Sequence, residues 1–536
     1  MADFDAVVVG SGVNSLACGA LLARAGWRVC LLERNAWFGG AIKTEELTEP
    51  GFLHDVFSAW HPLWVGGAAH ALLGDDLARR GLEYLDTELP TGTAFPDGGA
   101  AFLLRTAEGN ADELGPEWTA ELERFLANVD LAFGVLGTEL WSPAGLALAA
   151  KAMRRLGRGG AAGFLGEVLQ SSRDWLETTF ASEHAHGVLA PWVLHTGLGP
   201  DQATSGFMTQ VIAVALQEGG LPIPRGGGAK LADALVRLIR DHGGVCETDR
   251  DVERVLVHNG RAVGVRLTDG ETVEAERAVV ANVTPTQLYE RLLADVDVPA
   301  PVAEGARRFR YGRAEMQIHY ALSEPPRWDG DERLGRTAIV HVTPGLDGVS
   351  RAVNEADRGL LPAEATIVAG QPLTIDPSRA PAGRGILWIQ LQELPWRVKG
   401  DAAGELHTGS GEWTDELRER YADRIQARLA RHVPNLESSI LRRVALGPHD
   451  LERANVNLRH GDPYGGALAL DQNFLWRPFP RSPGHATPVE RLWHVGASTW
   501  PGPGLGGGSG TIVAQRLLEP PLTQRALAKA RGLLAR

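Results

Sequence analysis

Gly10, Gly12 and Ser15 stand at the spacing G-x-G-x-x-S, with Asn14 among them and an acid, Glu33, closing the next apolar run. A glycine pair of this kind permits a tight turn and lets backbone N–H groups approach a pyrophosphate. A helix that begins there turns its positive end toward the phosphates. An acid at the carboxyl end of the following strand accepts hydrogen bonds from ribose hydroxyls. The chemistry implied is the binding of a dinucleotide. Ser15 departs from the pattern, because a third glycine is usual there.

Other residues point to the same ligand. Arg34 follows the acid, and Gly39-Gly40 make a second tight turn followed by Lys43 and Thr44. Near the far end, Gly496-Ala497 and the glycine-dense stretch 502–510, which holds Gly504 and Leu505, present backbone N–H groups and a helix start to an electron-rich group. His54, Asp55, Ser58, Trp60 and His61 form a tight group that can face a cofactor or substrate. His54, His61 and Trp500 are the weak catalytic candidates, since a histidine among aromatics is more often a satisfied core residue. His184 and His186 have no third ligand at metal spacing, so no metal site is expected.

These residues need elements to hold them. Apolar runs at 6–9 and 29–32 flank a helical pattern through Leu16, Ala20 and Leu21, which is a βαβ unit. Residues 74–220 read as mostly helical. Within them Leu146, Ala149, Ala150, Met153 and Leu156 form an apolar stripe beside Lys151, Arg154, Arg155 and Arg158, the pattern of either an interfacial basic helix or a solvated helix packed on the core. After Gly226–Gly228 a helix carries Leu231, Leu235 and Ile239 on one face. Strands are expected at 245–248, 252–258, 262–267 and 272–276, separated by the hairpin cues Asn259-Gly260 and Asp269-Gly270. From 309 to 440 strands at 315–322, 337–342 and 385–394 alternate with loops, Thr414 caps a helix, and Trp388 and Trp396 lie in a pocket wall or in the core. A strand at 492–495 and a helix at 511–518 close the pattern.

The net charge of -13 argues against general nucleic-acid binding, which rewards clustered Lys and Arg. Cys18, Cys30 and Cys246 include no C-x-x-C pair, so thiol-disulfide exchange is not expected. No secretory signal and no membrane-spanning run is visible, and the expected location is the cytoplasm with peripheral membrane contact open. The tail 522–536 carries Arg525, Lys529, Arg531 and Arg536 and no acid, as a membrane-surface helix or a frayed end would.

Taken together, the G-x-G-x-x-S unit, the Glu33-Arg34 pair, the Gly39-Gly40 doublet and the ending G-A-S-T-x-P-G-x-G resemble the FAD-binding superfamily of amine oxidases and phytoene desaturases. His460-Gly461, Leu470-Asp471-Gln472 and Arg477-Pro478 narrow the resemblance to the phytoene desaturase-like branch that contains bacterial carotenoid ketolases and the pyridine nucleotide-disulfide oxidoreductase domain 2 proteins. The resemblance implies that the Gly39-Gly40 doublet lies near the FAD diphosphate. The sequence departs from it in two places: Ala41 stands where a basic residue usually follows the doublet, which leaves a side-chain phosphate role to Lys43 or Thr44, and Trp500 stands where a His is common. The resemblance implies an α/β fold with a Rossmann-like FAD-binding domain and β-meander (1–73, 221–300 and 441–536) plus a discontinuous α+β substrate domain (74–220 and 301–440). It also implies that Val252 meets the adenine through its backbone. The implied activity is desaturation or dehydrogenation of an apolar or polyene-like substrate, with hydride passing to flavin N5 and oxygen or a quinone as acceptor. Two alternatives stand beside it: an FAD-dependent oxidase of an amine or polar secondary metabolite, and a flavin-holding non-redox isomerase or scaffold.

Overall fold

Residues 6–9 carry no charge and are small or β-branched, so they suit a strand buried on both faces. In the computed structural model, which describes residues 2–519, they form the centre of β1 (Phe4–Val9), followed by α1 (Val13–Arg24) and β2 (Val29–Leu32). Next come β3 (Thr91–Ala94) and β4 (Ala100–Leu103), then α2 (Val129–Leu136), α3 (Pro143–Leu169), α4 (Ser205–Gly219) and α5 (Ala229–Asp241). The meander is β5 (Val245–Glu247), β6 (Val252–His258), β7 (Arg261–Leu267) and β8 (Thr272–Asn282). Strands β9 (Ala314–Leu322), β10 (Ile339–Val342), β11 (Ile367–Gly370) and β12 (Gly385–Leu394) precede α6 (Asp415–Leu429), β13 (Ile440–Leu446), β14 (Leu492–Val495) and α7 (Gly508–Leu518).

The strands make two large sheets. The first runs β6-β7-β8-β1-β2-β5, with β14 against β8. Strand β8 joins its two halves: residues 272–274 pair antiparallel with β7, while 275–281 pair parallel with β1. It therefore runs to Asn282, six residues past the end expected from sequence, because the uncharged stretch Ala278–Ala281 is buried on both faces. Leu16 and Ala20 of α1, Leu235 and Ile239 of α5 and Val513 of α7 share one core over this sheet. Each such large aliphatic side chain contributes about 1.5–3 kcal/mol.

The second sheet runs β13-β9-β12-β11-β10-β3-β4. Two differences from the sequence reading follow. The hairpin β3–β4 lies inside the stretch expected to be helical, and β13 pairs with β9, so the expected boundary at 440/441 falls at the start of a strand of the second sheet. Helix α6 is capped as expected, with Thr414 Oγ1 accepting from Leu417 N at 3.1 Å. The tail 522–536 lies outside the described residues.

Candidate active site

At the carboxyl ends of β1, β2 and β8 a crevice with about 1190 Å³ of empty space is lined by Gly10, Gly12, Asn14, Glu33, Arg34, Gly39, Gly40, Val252, Ala497, Gly504 and Leu505. Segments more than 490 residues apart in sequence meet there, because Asn14 Oδ1 accepts from Gly510 N across a separation of 496 residues. The crowding behind the crevice explains the glycines. A Cβ on Gly12 would stand 2.7 Å from Asn282 Nδ2, and Gly10 has φ +83. No side chain caps α1 at Gly12, so its first N–H groups face the crevice as donors. Glu33 is buried, and its Oε2 accepts from Ser11 N at 2.9 Å and Ser11 Oγ at 2.6 Å, whereas Oε1 accepts only from Asn35 N, at 2.8 Å. One carboxylate oxygen thus keeps acceptor capacity toward the crevice. These features fit a dinucleotide: a glycine cradle no side chain could enter, an uncapped helix start and an acid with a spare lone pair.

Several residues singled out from sequence sit elsewhere. Lys43 pairs with Glu45 at 2.7 Å and lies over the Trp37 ring, and Thr44 donates to Asp55 Oδ1 at 2.6 Å while accepting from Ala229 N. Neither lines the crevice, because strand pairing across 44–45 and 54–55 turns the chain away from it. Ser15 is buried in α1, and Gly496 lies one residue behind the wall, its N–H donating to Ser509 Oγ. Conversely, Asn282, Asn455 and Asn457 line the crevice without having been singled out. The signal for Asn282 was the polar residue that closes the apolar run 278–281.

A second cavity, with about 1230 Å³ of empty space, adjoins the first; Ala41, Leu458, Pro463, Gly504 and Leu505 line both. Trp60, Trp192 and Trp388 wall it, with Trp60 and Trp388 edge to face at 5.1 Å. Trp396 instead stacks on His460 at 3.9 Å, away from the cavity. One part of the wall is polar. Gln317 of β9 pairs in register with Gln390 of β12, which places Glu315, Gln317, Gln390 and Gln392 beside one another. Glu315 Oε1 accepts from Gln390 Nε2 at 2.7 Å, and Gln392 Nε2 donates to Tyr464 Oη at 2.9 Å. Burial pushes the Glu315 carboxyl up to about 8. The sequence signal was polar residues at i and i+2 inside two apolar strands.

Of the histidine group, His61 lines this cavity and bonds Tyr84 Oη through Nδ1 at 3.0 Å; burial lowers its pKa to about 4. His54 does not line it: its Nε2 meets Thr48 Oγ1 at 2.7 Å and its ring packs edge-on against His319. Trp500 is also off both cavities, its indole N–H donating to Val135 O at 2.9 Å. Asp55 is structural. It forms a fully buried ion pair with Arg379 and accepts from Gly228 N at 2.8 Å.

A glycine-lined crevice at the strand ends, opening onto an aromatic cavity beside a second sheet, defines a dinucleotide-dependent oxidoreductase. The family follows from comparison: residues 16–492 match the flavin containing amine oxidoreductase family, and the chain belongs to it. It is an FAD-dependent oxidoreductase. Pyridine nucleotide-disulfide oxidoreductase domain-containing protein 2 of Mus musculus is 26% identical over 96% of this chain and 93% of its own length. A limonene dehydrogenase polypeptide of Castellaniella defragrans is 23% identical over 96% and 94%. A zeta-carotene-forming phytoene desaturase of Myxococcus xanthus is 30% identical over 53% and 50%. The resemblance drawn from the terminal motifs is therefore borne out. Among solved structures, an oxidoreductase from Methanosarcina mazei shares the fold with a TM-score of 0.59 at 16% identity, covering 95% of this chain and 99% of that one. No helix among the described residues is long and apolar enough to cross a membrane.

Proposed function

We propose that the chain dehydrogenates an apolar, polyene-like substrate held in the aromatic cavity, with FAD in the glycine-lined crevice. The observation that carries this reading is the shared wall of Ala41, Leu458, Pro463, Gly504 and Leu505, where substrate and cofactor can meet. When bound, FAD supplies a two-electron acceptor. The chain's own residues hold and orient. Gly10, Gly12 and the start of α1 take the diphosphate, Glu33 the ribose and the Val252 backbone the adenine, while Arg34, Gly39, Gly40 and Ala497 complete the wall. Trp60, Trp192 and Trp388 pack the hydrocarbon and exclude water. The names of the limonene dehydrogenase and phytoene desaturase relatives agree with an apolar substrate. With one dinucleotide fingerprint in the chain, oxygen or a quinone is the acceptor of choice. The test is anaerobic: phytoene bleaches the oxidised flavin and NADPH alone does not. Bleaching by NADPH alone reverses the assigned electron flow.

The polar patch around Glu315 favours a second reading, oxidation of an amine or polar metabolite. An isomerase or scaffold would be favoured by a crevice walled off from the cavity, and the shared wall gives it no support.

The same reading puts the protein against a membrane surface through α2 and α3. Segment α3 is two helices that meet at a kink at Gly157 (φ 69); it has no buried residue over its 27 positions, and Leu146 on it is 73% exposed. Met153 and Leu165 on the same segment and Trp141 just before it are exposed too, and Trp141 Nε1 donates to Leu475 O next to exposed Trp476. Arg154 and Arg158 add positive charge for anionic headgroups. Flotation with phosphatidylglycerol liposomes that survives the double variant Trp141→Glu, Leu146→Glu rejects this surface.

A further inference from the structure

The aromatic cavity is not uniformly apolar, and its polar patch is buried rather than at a rim. Glu315, Gln317 and Gln392 are each 2–3% exposed, all three line the cavity, and the side-chain oxygens of Gln317 and Gln392 have no hydrogen-bond partner. Leaving a buried amide oxygen unpaired forfeits its hydration with nothing in return. The β-strands that present these positions accept apolar side chains at least as well, so the polar ones answer to a polar group carried on an otherwise apolar ligand.

The orientation of the patch is set from behind. Tyr464 Oη donates to Leu194 O at 2.7 Å, so its oxygen accepts from Gln392 Nε2, which leaves the Gln392 carbonyl oxygen for a ligand. Gln390 Nε2 holds Glu315 Oε1 at 2.7 Å, and Gln317 Nε2 lies 3.4 Å from Glu315 Oε2. We propose that the substrate is an apolar skeleton bearing one hydroxyl group, held by Glu315, Gln317 and Gln392 while Trp60, Trp192 and Trp388 pack its hydrocarbon. This deepens, and rests on, the reading of the cavity as the substrate site.

A hydroxyl suits the patch better than an ammonium. Burial raises the Glu315 pKa to about 8, so at neutral pH the group is a carboxylic acid with an O–H to donate beside amide oxygens that accept. A hydroxyl both donates and accepts, and so satisfies that mixed set. An ammonium only donates, and meets the acid's own proton unless that proton is first released.

Limonene, perillyl alcohol and perillylamine share one skeleton and differ at one substituent, which makes them the probes. Their affinities for the FAD-loaded, oxidised protein are measured by equilibrium dialysis and by perturbation of the flavin absorbance. Perillyl alcohol is expected to bind at least tenfold tighter than limonene and than perillylamine. The double variant Gln317→Leu, Gln392→Leu is expected to erase the preference while retaining FAD and limonene binding. Equal affinity for alcohol and hydrocarbon in the wild-type protein overturns the proposal, as does a preference that survives in the double variant. Tighter binding of the amine overturns it in favour of an ammonium ligand. No binding by any of the three removes the substrate-site reading itself, and the proposal with it.

Discussion

Asn14 Oδ1 accepts the backbone N–H of Gly510 at 3.2 Å, so the first turns of α1 and α7 are held together by one side chain. Both helices begin on glycines without side-chain caps, and the junction leaves no volume behind it. A Cβ on Gly510 would overlap the Asn14 carbonyl oxygen. Gly510→Ala is therefore expected to destabilise the protein by at least about 1–3 kcal/mol, as overpacking does, and to lower FAD retention with it. Gly166→Ala in α3, where a Cβ meets nothing within 4 Å, is the control and is expected to stabilise by up to about 1 kcal/mol, as alanine for glycine does inside an exposed helix. Urea unfolding of both variants and their FAD content after gel filtration check this.

Glu33 holds the chain together, apart from the ribose contact proposed for it. Removing its carboxylate in Glu33→Ala leaves Ser11 N and Asn35 N without their acceptor, in addition to any ribose contact. FAD affinity is expected to fall at least tenfold, about 1.4 kcal/mol, measured by flavin fluorescence titration of the apoprotein. Glu33→Arg should do the same. Unchanged affinity in either variant removes the ribose assignment.

Lys43 gives the opposite expectation. Its ammonium is engaged by Glu45 at 2.7 Å and by the Trp37 ring, off the crevice wall. Lys43→Ala is expected to leave FAD affinity within about twofold, since a partly exposed ion pair is worth only about 0–1 kcal/mol. A tenfold loss in the same titration would return Lys43 to the phosphate site.

The contrast between Glu33 and Lys43 shows what the sequence could carry. Strand-helix-strand spacing is local, so the crevice glycines, Glu33 and the β6 start at Val252 were legible from period and turn residues alone. Lys43 and Thr44 are only a few residues past Gly40, yet pairing with the strand at 54–55 redirects them, and that pairing is non-local. The hairpin β3–β4 was missed for the same reason: β3 pairs with β10, nearly 250 residues on. Trp388 and Trp396 look alike in sequence, but only packing distinguishes the one that walls the cavity from the one stacked on His460. The Glu315 patch depends on the β9–β12 register, which hydrophobic alternation does not report when both faces are buried.

The Asp55–Arg379 pair anchors the wall beneath His61. Arg379 is fully buried, and its guanidinium also donates to Pro224 O at 2.8 Å and Asp376 Oδ2 at 3.2 Å. Arg379→Met leaves Asp55 charged and buried without its partner, which costs about 3–5 kcal/mol. Arg379→Lys is expected to rescue less than half of this, because one ammonium cannot reproduce a planar fork serving three acceptors. Equal stability of the Met variant and the wild-type protein in urea would show the pair to be replaceable.

Stability should be highest near pH 6.5 and fall on both sides, for opposite reasons. His54, His61, His195, His319, His341 and His494 are buried and held below the ordinary histidine value of 6.5, mainly by desolvation. As pH falls through 6.5 the unfolded chain takes up protons that these six rings refuse in the fold, so stability drops toward pH 4. Glu315 and Glu393 work the other way: burial raises them to about 8 and 7, and each favours the fold below its unfolded value of 4.5 and loses that contribution as pH rises through its folded value. Between 4.5 and 6.5 six histidines outweigh two glutamates, so the net effect there is acid destabilisation. Above 6.5 the glutamates dominate, Glu393 up to about pH 7 and Glu315 up to about pH 8, each with a limiting slope of about 1.4 kcal/mol per pH unit below its folded value. Urea midpoints from pH 5 to 8.5 are expected to trace this dome. Glu393→Gln, which leaves the cavity wall intact, should remove about a third of the alkaline loss, nearly all of it below about pH 7.5, while leaving the acid side in place. An alkaline limb unchanged by Glu393→Gln would remove that glutamate from the account.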